Sequence, residues 1–285
     1  MTPADTPGAS QVAIAGDGSG RRGPQAQDPS DVLAALKADV RMLGEMAGLP
    51  AVPVALTARD AAQLSAGLRA LPAEVAAVFL AGTDPARARA AQRDLACTGG
   101  IPVATEQDTT AIALAAAVLT TLARAETTPQ ASQVVIAGAD QLPLLTPLLI
   151  AAGIGDLVSW NQADAIGYPL ATAAWRASAV VDLLGAASTL TPAFGEDVPV
   201  PVIALDDPVA RLLAVPGLLR AIRRTAPVGV WADPLYHLDL HYACARALAA
   251  LTPVDRLLPE MADPDLCEAV ARAATDVLQH PPRTR

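Results

Sequence analysis

Residues 101–161 read IPVATEQDTTAIALAAAVLTTLARAETTPQASQVVIAGADQLPLLTPLLIAAGIGDLVSWN. This stretch opens with a short apolar strand and a polar segment at 105–110, and then runs into a long helix. A hydrophobic strand at 134–137 follows, then the turn GADQLP at 138–143, a second helix at 144–152 and a second strand at 156–160. Strand, turn, helix and strand in this order predict a βαβ unit of the dinucleotide-binding type.

The turn at 138–143 carries a weak version of the phosphate-binding fingerprint. Such a turn has three glycines, spaced Gly-x-Gly-x-x-Gly, which let the backbone approach a pyrophosphate. The three positions hold Gly138, Asp140 and Pro143. Asp140 places a negative charge where the pyrophosphate would lie, and Pro143 replaces the glycine of close helix–strand packing, although proline is compatible with the first turn of a helix. We therefore expect an inherited nucleotide-binding scaffold without a working cofactor site.

Composition excludes several classes of function. The chain has 285 residues, of which 52% are hydrophobic and 17% charged, and its formal net charge is −9. An acidic chain is a poor match for nucleic acid or an anionic membrane surface, and no apolar stretch is long enough to span a bilayer. The first residues lack a secretory pattern, and three scattered cysteines fit a reducing compartment. We expect a cytoplasmic protein that binds neither nucleic acid nor membrane.

Strands and helices alternate along most of the chain, which predicts an α/β fold with a doubly wound, parallel sheet. Residues 1–10 are expected to be a disordered lead-in, 11–125 a first α/β lobe, and 126–280 a second, Rossmann-like lobe that ends in helices. Within the first lobe, the long helix after the polar segment is expected at 111–125. Thr109 or Thr110 would cap its first turn.

One segment near the C-terminus has the spacing of a metal site. On a helix, His237, His241 and Cys244 stand at positions i, i+4 and i+7, so their side chains share one face. These three side chains could ligate a metal ion. The alternative is a half-buried helix whose histidines pack against a neighbouring element.

Five short segments, in the right order, resemble the bacterial malic enzyme family over nearly the whole chain, in shortened form. They are VAIAGDGS at 12–19, AGLPAVPV at 47–54, IPVATEQDTTAI at 101–112, LAVPGLLR at 213–220 and the segment 257–264. The resemblance implies a two-lobed fold whose second lobe is a degenerate Rossmann-type domain. It also implies a homodimer, in which Trp160, Trp175 and Trp231 serve as contact anchors unless they fill the core.

The family oxidatively decarboxylates malate with NAD or NADP and a divalent metal. That chemistry requires clustered carboxylates for the metal, and a lysine and a tyrosine for proton transfer. The resemblance places the adjacent metal-binding carboxylates on Ala81 and Gly82, the third carboxylate on Glu106 and the catalytic lysine on Asp39. The segment that would carry the tyrosine has no counterpart.

Other positions of the family's site are changed as well. The ribose-binding acid falls on Asn161, and the two malate-binding asparagines fall on Asp207 and Arg211. The resemblance therefore implies a protein that has lost the decarboxylation and uses no cofactor or metal.

Two main hypotheses follow from these changes, and a third, a residual nucleotide-binding sensor, requires that Asp140 be tolerated in the turn. In the first, the protein is a dimeric pseudoenzyme or binding protein with a protein partner. In the second, the old cleft performs a new, cofactor-independent reaction, possibly in specialised metabolism. Arg211 would then bind a small carboxylate, and Glu106 or Asp108 would act as acid or base. For either hypothesis the cleft residues are expected to converge between the lobes: Asp39, Glu106, Asp108, Asp140, Asp207 and Arg211.

Overall fold

The computed structural model describes residues 11–20, 28–186, 200–205, 207–225 and 234–280. Its strands are β1 (Gln11–Gly16), β2 (Ala51–Ala55), β3 (Val75–Leu80), β4 (Val103–Thr105), β5 (Gln133–Ala137), β6 (Asp156–Trp160), β7 (Ala179–Asp182) and β8 (Val202–Ile203). Its helices are α1 (Pro29–Ala47), α2 (Ala61–Arg69), α3 (Pro85–Cys97), α4 (Glu106–Arg124), α5 (Leu145–Ala151), α6 (Leu170–Ala174), α7 (Val215–Thr225), α8 (Pro234–Leu251) and α9 (Leu266–Gln279). The lead-in predicted at 1–10 and the predicted anchor Trp231 lie outside the described residues.

The strands form two parallel sheets of four strands each, which confirms the predicted α/β fold. The first sheet has the order β2-β1-β3-β4 and the second has the order β6-β5-β7-β8. In both sheets the chain reverses its direction of winding next to the first strand. Ligands of open α/β sheets bind at such a switch point, beyond the carboxyl ends of the strands. The relevant crevices therefore lie after β1 and β3 in the first sheet, and after β5 and β7 in the second.

Helix α4 begins earlier than the sequence analysis predicted, because the polar segment forms its first turn. Thr105 is the N-cap, and its side chain accepts a hydrogen bond from the Asp108 backbone N–H at 3.2 Å. The Asp108 carboxylate accepts in return from the Thr105 backbone N–H at 2.8 Å. This reciprocal capping box satisfies two backbone donors that the helix cannot pair internally. Thr109 and Thr110 are therefore inside the helix rather than at its cap.

Helix α4 lies at the centre of the molecule. Most of its side chains are buried, and it contacts α8, α5 and β7. One hydrophobic core joins side chains of the first sheet, α4, the second sheet and the C-terminal helices. An alanine-rich helix suits this position because small side chains allow neighbouring elements to approach closely on every face.

The C-terminal helices cover part of the first sheet. Helix α7 contacts β3, and the Arg220 guanidinium donates to the Ala47 carbonyl at the end of α1 at 2.8 Å. Helix α9 presses against α7 so closely that a Cβ on Gly217 would stand 2.5 Å from the Val270 side chain. The lobe boundary at residue 126 stays a prediction. Helices that the sequence analysis assigned to the second lobe also contact the first.

None of the helices in the described ranges has both the length and the apolar character needed to cross a membrane.

Candidate functional site

A cavity of about 130 Å³ lies at the switch point of the first sheet. The turn after β1 and the turn after β3 form one side of it, and α1 and the first residue of α4 form the other. Arg211, from the 3₁₀ turn Ala210–Leu212 that precedes α7, completes the wall. The lining residues are Gly18, Gly20, Val32, Leu36, Asp39, Ala81, Gly82, Glu106 and Arg211.

The cavity holds an ion-pair network centred on Arg211. Its Nη2 donates to both carboxylate oxygens of Asp39, at 3.0 and 3.1 Å, and its Nε lies 3.1 Å from Glu106 Oε1. Asp39 is the most enclosed of the three side chains, with 10% exposed, against 21% for Arg211 and 35% for Glu106. Two carboxylates share one guanidinium, so the ionised network carries a net charge of −1.

The backbone also contributes to this network. The Gly82 N–H donates to Glu106 Oε2 at 2.8 Å. Both oxygens of Glu106 therefore have a partner, and the carboxylate lies in the first turn of α4, where the helix dipole favours a negative charge. In contrast, Arg211 Nη1 is buried and has no partner among the described residues. An unpaired buried donor destabilises the folded state, so the buried Nη1 offsets part of the stabilisation that the two ion pairs provide.

A second polar network holds the two turns of the first sheet together. Asp17 Oδ2 lies 2.6 Å from Arg87 Nη1, and the Ser19 hydroxyl donates to Asp17 Oδ1 at 2.6 Å. Ser19 Oγ in turn accepts from the Asp84 backbone N–H at 2.8 Å. The sequence analysis identified the Asp17–Ser19 turn through the resemblance but missed Arg87. This network ties the turn after β1 to the turn after β3, and both turns contribute residues to the wall of the cavity.

The structure does not bring Asp108 or Asp207 to this cavity. Asp108 is 2% exposed, and its carboxylate is used by the Thr105 N–H and by Gln92 Nε2 at 2.7 Å. Asp207 caps the Val209 N–H at 2.8 Å and lines a separate cavity. Of the six residues expected to converge, Asp39, Glu106 and Arg211 do so. Local capping explains the position of Asp108 and Asp207, since short carboxylates readily accept from nearby backbone donors.

The turn at 138–143 lies at the switch point of the second sheet, and the segment that follows β7 packs against it. Gly138 has a φ of 86°, and a Cβ there would stand 2.8 Å from the Leu184 side chain. Residues Ala139–Gln141 form a single 3₁₀ turn. With the Asn161 amide nitrogen facing Asp140, it donates to Asp140 Oδ1 at 2.9 Å. In that orientation of the amide, the two positions that the resemblance assigns to pyrophosphate and ribose binding are hydrogen-bonded to each other.

The two switch points share a second, larger cavity of about 310 Å³. It shares Gly20, Gly82 and Glu106 with the first cavity, so the two cavities adjoin and together line one cleft. On the second-sheet side it is lined by Gln141, Leu142 and Leu183. No lysine or arginine lines it among the described residues. Gln107 Nε2 crosses the cleft to the Gln141 carbonyl at 3.5 Å, which is a long hydrogen bond.

His237, His241 and Cys244 lie on α8, and the structure does not assemble them as a metal site. Within the described part of the chain, no group of three or more His, Cys, Asp or Glu side chains is arranged to hold a metal ion. Burial lowers the pKa of His241 to about 4 and raises the pKa of the Cys244 thiol to about 12. A metal-ligating cysteine is a thiolate, so an apolar core works against that role. The rings of His237 and His241 meet edge to face, 6.0 Å apart.

No family model matches this sequence, and a comparison with curated proteins finds no match. The fold, in contrast, matches solved structures of malic enzymes. The NAD-dependent malic enzyme from Thermotoga maritima superposes with a TM-score of 0.75 at 17% identity, over 95% of this chain and 85% of that one. The malic enzyme from Entamoeba histolytica gives 0.75 at 16% identity, over 96% and 70%. The enzyme from Pyrococcus horikoshii gives 0.74 at 16% identity, over 96% and 77%. The chain thus has the malic enzyme fold, as the resemblance predicted.

Proposed function

We propose that this protein is a pseudoenzyme: it keeps the malic enzyme fold, does not oxidatively decarboxylate malate, and acts through binding as a homodimer. The observation that carries the proposal is the network in which Arg211 pairs with both Asp39 and Glu106. In it, the three residues that stand at the positions the resemblance assigns to the lysine, a metal-binding carboxylate and a malate-binding asparagine are paired with one another. Three cysteines without disulfide bonds support the cytoplasm as its location.

The residues present do not fit a divalent metal. Mg²⁺ and Mn²⁺ prefer several oxygen ligands, chiefly carboxylates. Ala81 and Gly82 offer no side-chain oxygen, and both Glu106 oxygens already accept from Gly82 and Arg211. The Arg211 guanidinium, whose Nε lies 3.1 Å from Glu106 Oε1, also repels a cation at close range.

The residues present do not fit a dinucleotide either. A pyrophosphate site needs free backbone N–H groups at the start of a helix and room for the phosphates. Here the Gly138 N–H donates to the Trp160 carbonyl at 2.8 Å, and Asp140 places a carboxylate in the turn. Helix α5 starts only at Leu145 and has seven residues. The Asp140–Asn161 hydrogen bond occupies the positions that would contact the cofactor.

The test is binding and turnover measured side by side. We expect no thermal shift with NAD, NADP, malate or Mn²⁺, alone or combined, and no malate-dependent reduction of NAD or NADP. An active malic enzyme assayed in parallel verifies the reagents. Mn²⁺-dependent NADH formation above that of a heat-inactivated sample would refute the proposal. Light scattering during gel filtration tests the dimer, and a monomer at micromolar concentration would refute that part.

A second candidate function is a cofactor-independent reaction in the same cleft. The adjoining cavities of about 130 and 310 Å³ favour it, because they leave room for a small molecule beside Glu106. In this version Arg211 releases Glu106 to bind a ligand carboxylate, and Glu106 then moves a proton. Glu106→Gln should abolish such an activity and leave the fold intact. The matched control is Asp94→Asn, which removes a carboxylate from an exposed ion pair outside the cleft.

A further inference from the structure

A third cavity, separate from the cleft, lies between the segment after β8 and the loop 256–262. Its volume is about 440 Å³, which exceeds the volume of either cleft cavity taken singly and falls in the range of small-molecule sites. The residues that line it are absent from the lining of the two cleft cavities. It is therefore an independent feature of the molecule.

Apolar side chains form most of the wall of this cavity. Leu213 and Met261 lie at the bottom with 3% and 7% of their surface exposed, and Leu257 stands at the mouth with 37% exposed. Leu205, Val209 and Leu258 add to the apolar surface. Water in contact with such a wall gains few hydrogen bonds, so an apolar occupant that replaces it is favoured by burial of apolar area.

The loop that forms one side of the cavity is held in place by the rest of the chain. The Arg124 guanidinium, at the end of α4, donates to the Pro253 carbonyl at 2.8 Å and also to the Arg256 carbonyl. Pro253 and Pro259 further restrict the backbone of the loop. On the opposite side, Asp207 fixes the turn before Ala210 through the Val209 N–H. A wall that is ordered before binding lowers the entropy cost of taking up a ligand.

The charges around this cavity disfavour an anionic ligand. Asp207, Arg256 and Glu260 line it, so the described rim has two carboxylates and one guanidinium. Arg256 already pairs with Glu260 at 2.5 Å. A ligand carboxylate would have to compete with Glu260 for that guanidinium and would also face Asp207.

We propose that this cavity is a binding site for a small apolar molecule that carries no carboxylate. The apolar body of the ligand packs against Leu205, Leu213, Leu257 and Met261. Its polar end, an alcohol, amide or amine, points to the rim, where carboxylate oxygens accept hydrogen bonds. The proposal is independent of the proposed function, since it uses no residue of the cleft.

The test uses calorimetric titration of the full chain with 1-butanol, 1-hexanol, hexanoate and hexylamine. We expect affinity to rise about three- to fourfold per added methylene from butanol to hexanol, as apolar burial predicts. Hexanoate should bind more weakly than hexanol. Absence of alcohol binding, no dependence on chain length, or tighter binding of hexanoate would each overturn the proposal.

Matched variants localise the binding. Leu257→Gln places a polar group at the cavity mouth and should weaken hexanol binding about tenfold. Val254→Gln is the control just before this loop, because Val254 is 89% exposed and does not line the cavity. Equal affinity of the two variants would show that the alcohols bind elsewhere and would overturn the assignment. Circular dichroism of both variants verifies that each keeps its fold.

Discussion

Arg211 holds two carboxylates in place, and its removal should destabilise the molecule. In Arg211→Gln, Asp39 and Glu106 would face each other across the cavity without a cation. Removing one partner of a buried pair costs about 3–5 kcal/mol, and the partial exposure of this site reduces the expected loss to about 2 kcal/mol. Urea unfolding measures it. Arg69→Gln is the control, because the Arg69–Asp94 pair is 43% exposed on both sides and should contribute under about 1 kcal/mol.

A double variant distinguishes this explanation from simple loss of packing. If repulsion between the carboxylates causes the destabilisation, Asp39→Asn should recover part of it in the Arg211→Gln background. A double-mutant cycle measures that coupling. Additive losses of the two substitutions would contradict the role assigned to the ion pair.

His241 should make the fold sensitive to acid. Its pKa is about 4 in the folded chain, because burial disfavours the charged ring more than Asp108 favours it, while His237 and Arg89 add repulsion. In the unfolded chain the ring has the ordinary imidazole pKa of 6.5. Between these two pH values the unfolded state binds more protons than the folded state. The free energy of unfolding therefore falls as the pH drops from 6.5 to 4, and above pH 6.5 the neutral ring causes no loss. The loss is about 3 kcal/mol over this whole range, and about 2 kcal/mol of it is expected by pH 5.

Urea unfolding at pH 7.5 and pH 5 measures this dependence. His241→Leu should remove most of the pH slope contributed by histidine. His280→Gln, a change at an exposed position after α9, should leave the slope as it is in the native sequence. A native slope that persists in His241→Leu would assign the acid sensitivity to other groups.

At the scale of elements, the start of α4 determines which residues reach the cleft. Thr105→Ala removes the cap and should cost about 1 kcal/mol, since the Asp108 N–H then loses its acceptor. Thr110→Ala, at the position that the sequence analysis proposed as a cap, should cost less than half as much because Thr110 lies within the helix. Thermal unfolding of the two variants gives the comparison. Equal losses would mean that the capping box contributes little.

The same element illustrates what the sequence could predict. The pattern Thr-x-x-Asp at 105–108 is a capping-box signature, and reading it would have placed Glu106 in the first turn and Asp108 inside the cap. Strand β6 was predicted with the observed limits, because glycines precede it and Asn161 follows it. Glu106 and Arg211 were identified only through resemblance, since a contact across 105 positions leaves no local pattern. The Gly82 N–H is a backbone donor, so no side chain in the sequence marks it as part of the site.

At the scale of the whole molecule, the core argues for cooperative unfolding despite two separate sheets. Buried side chains of β1, α4, β5 and α9 belong to one hydrophobic cluster, and α7 joins α9 to β3. Exposing either sheet alone would leave much of α4 without partners, which costs about 25 cal/mol per Å² of apolar surface. We therefore expect one transition in urea, with the same midpoint by circular dichroism and by tryptophan fluorescence, and similar protection of β1 and β5 amides in hydrogen exchange. Two midpoints, or β5 amides that exchange well before those of β1, would mean that the two sheets unfold independently. The boundary predicted at residue 126 would then separate two units that unfold on their own.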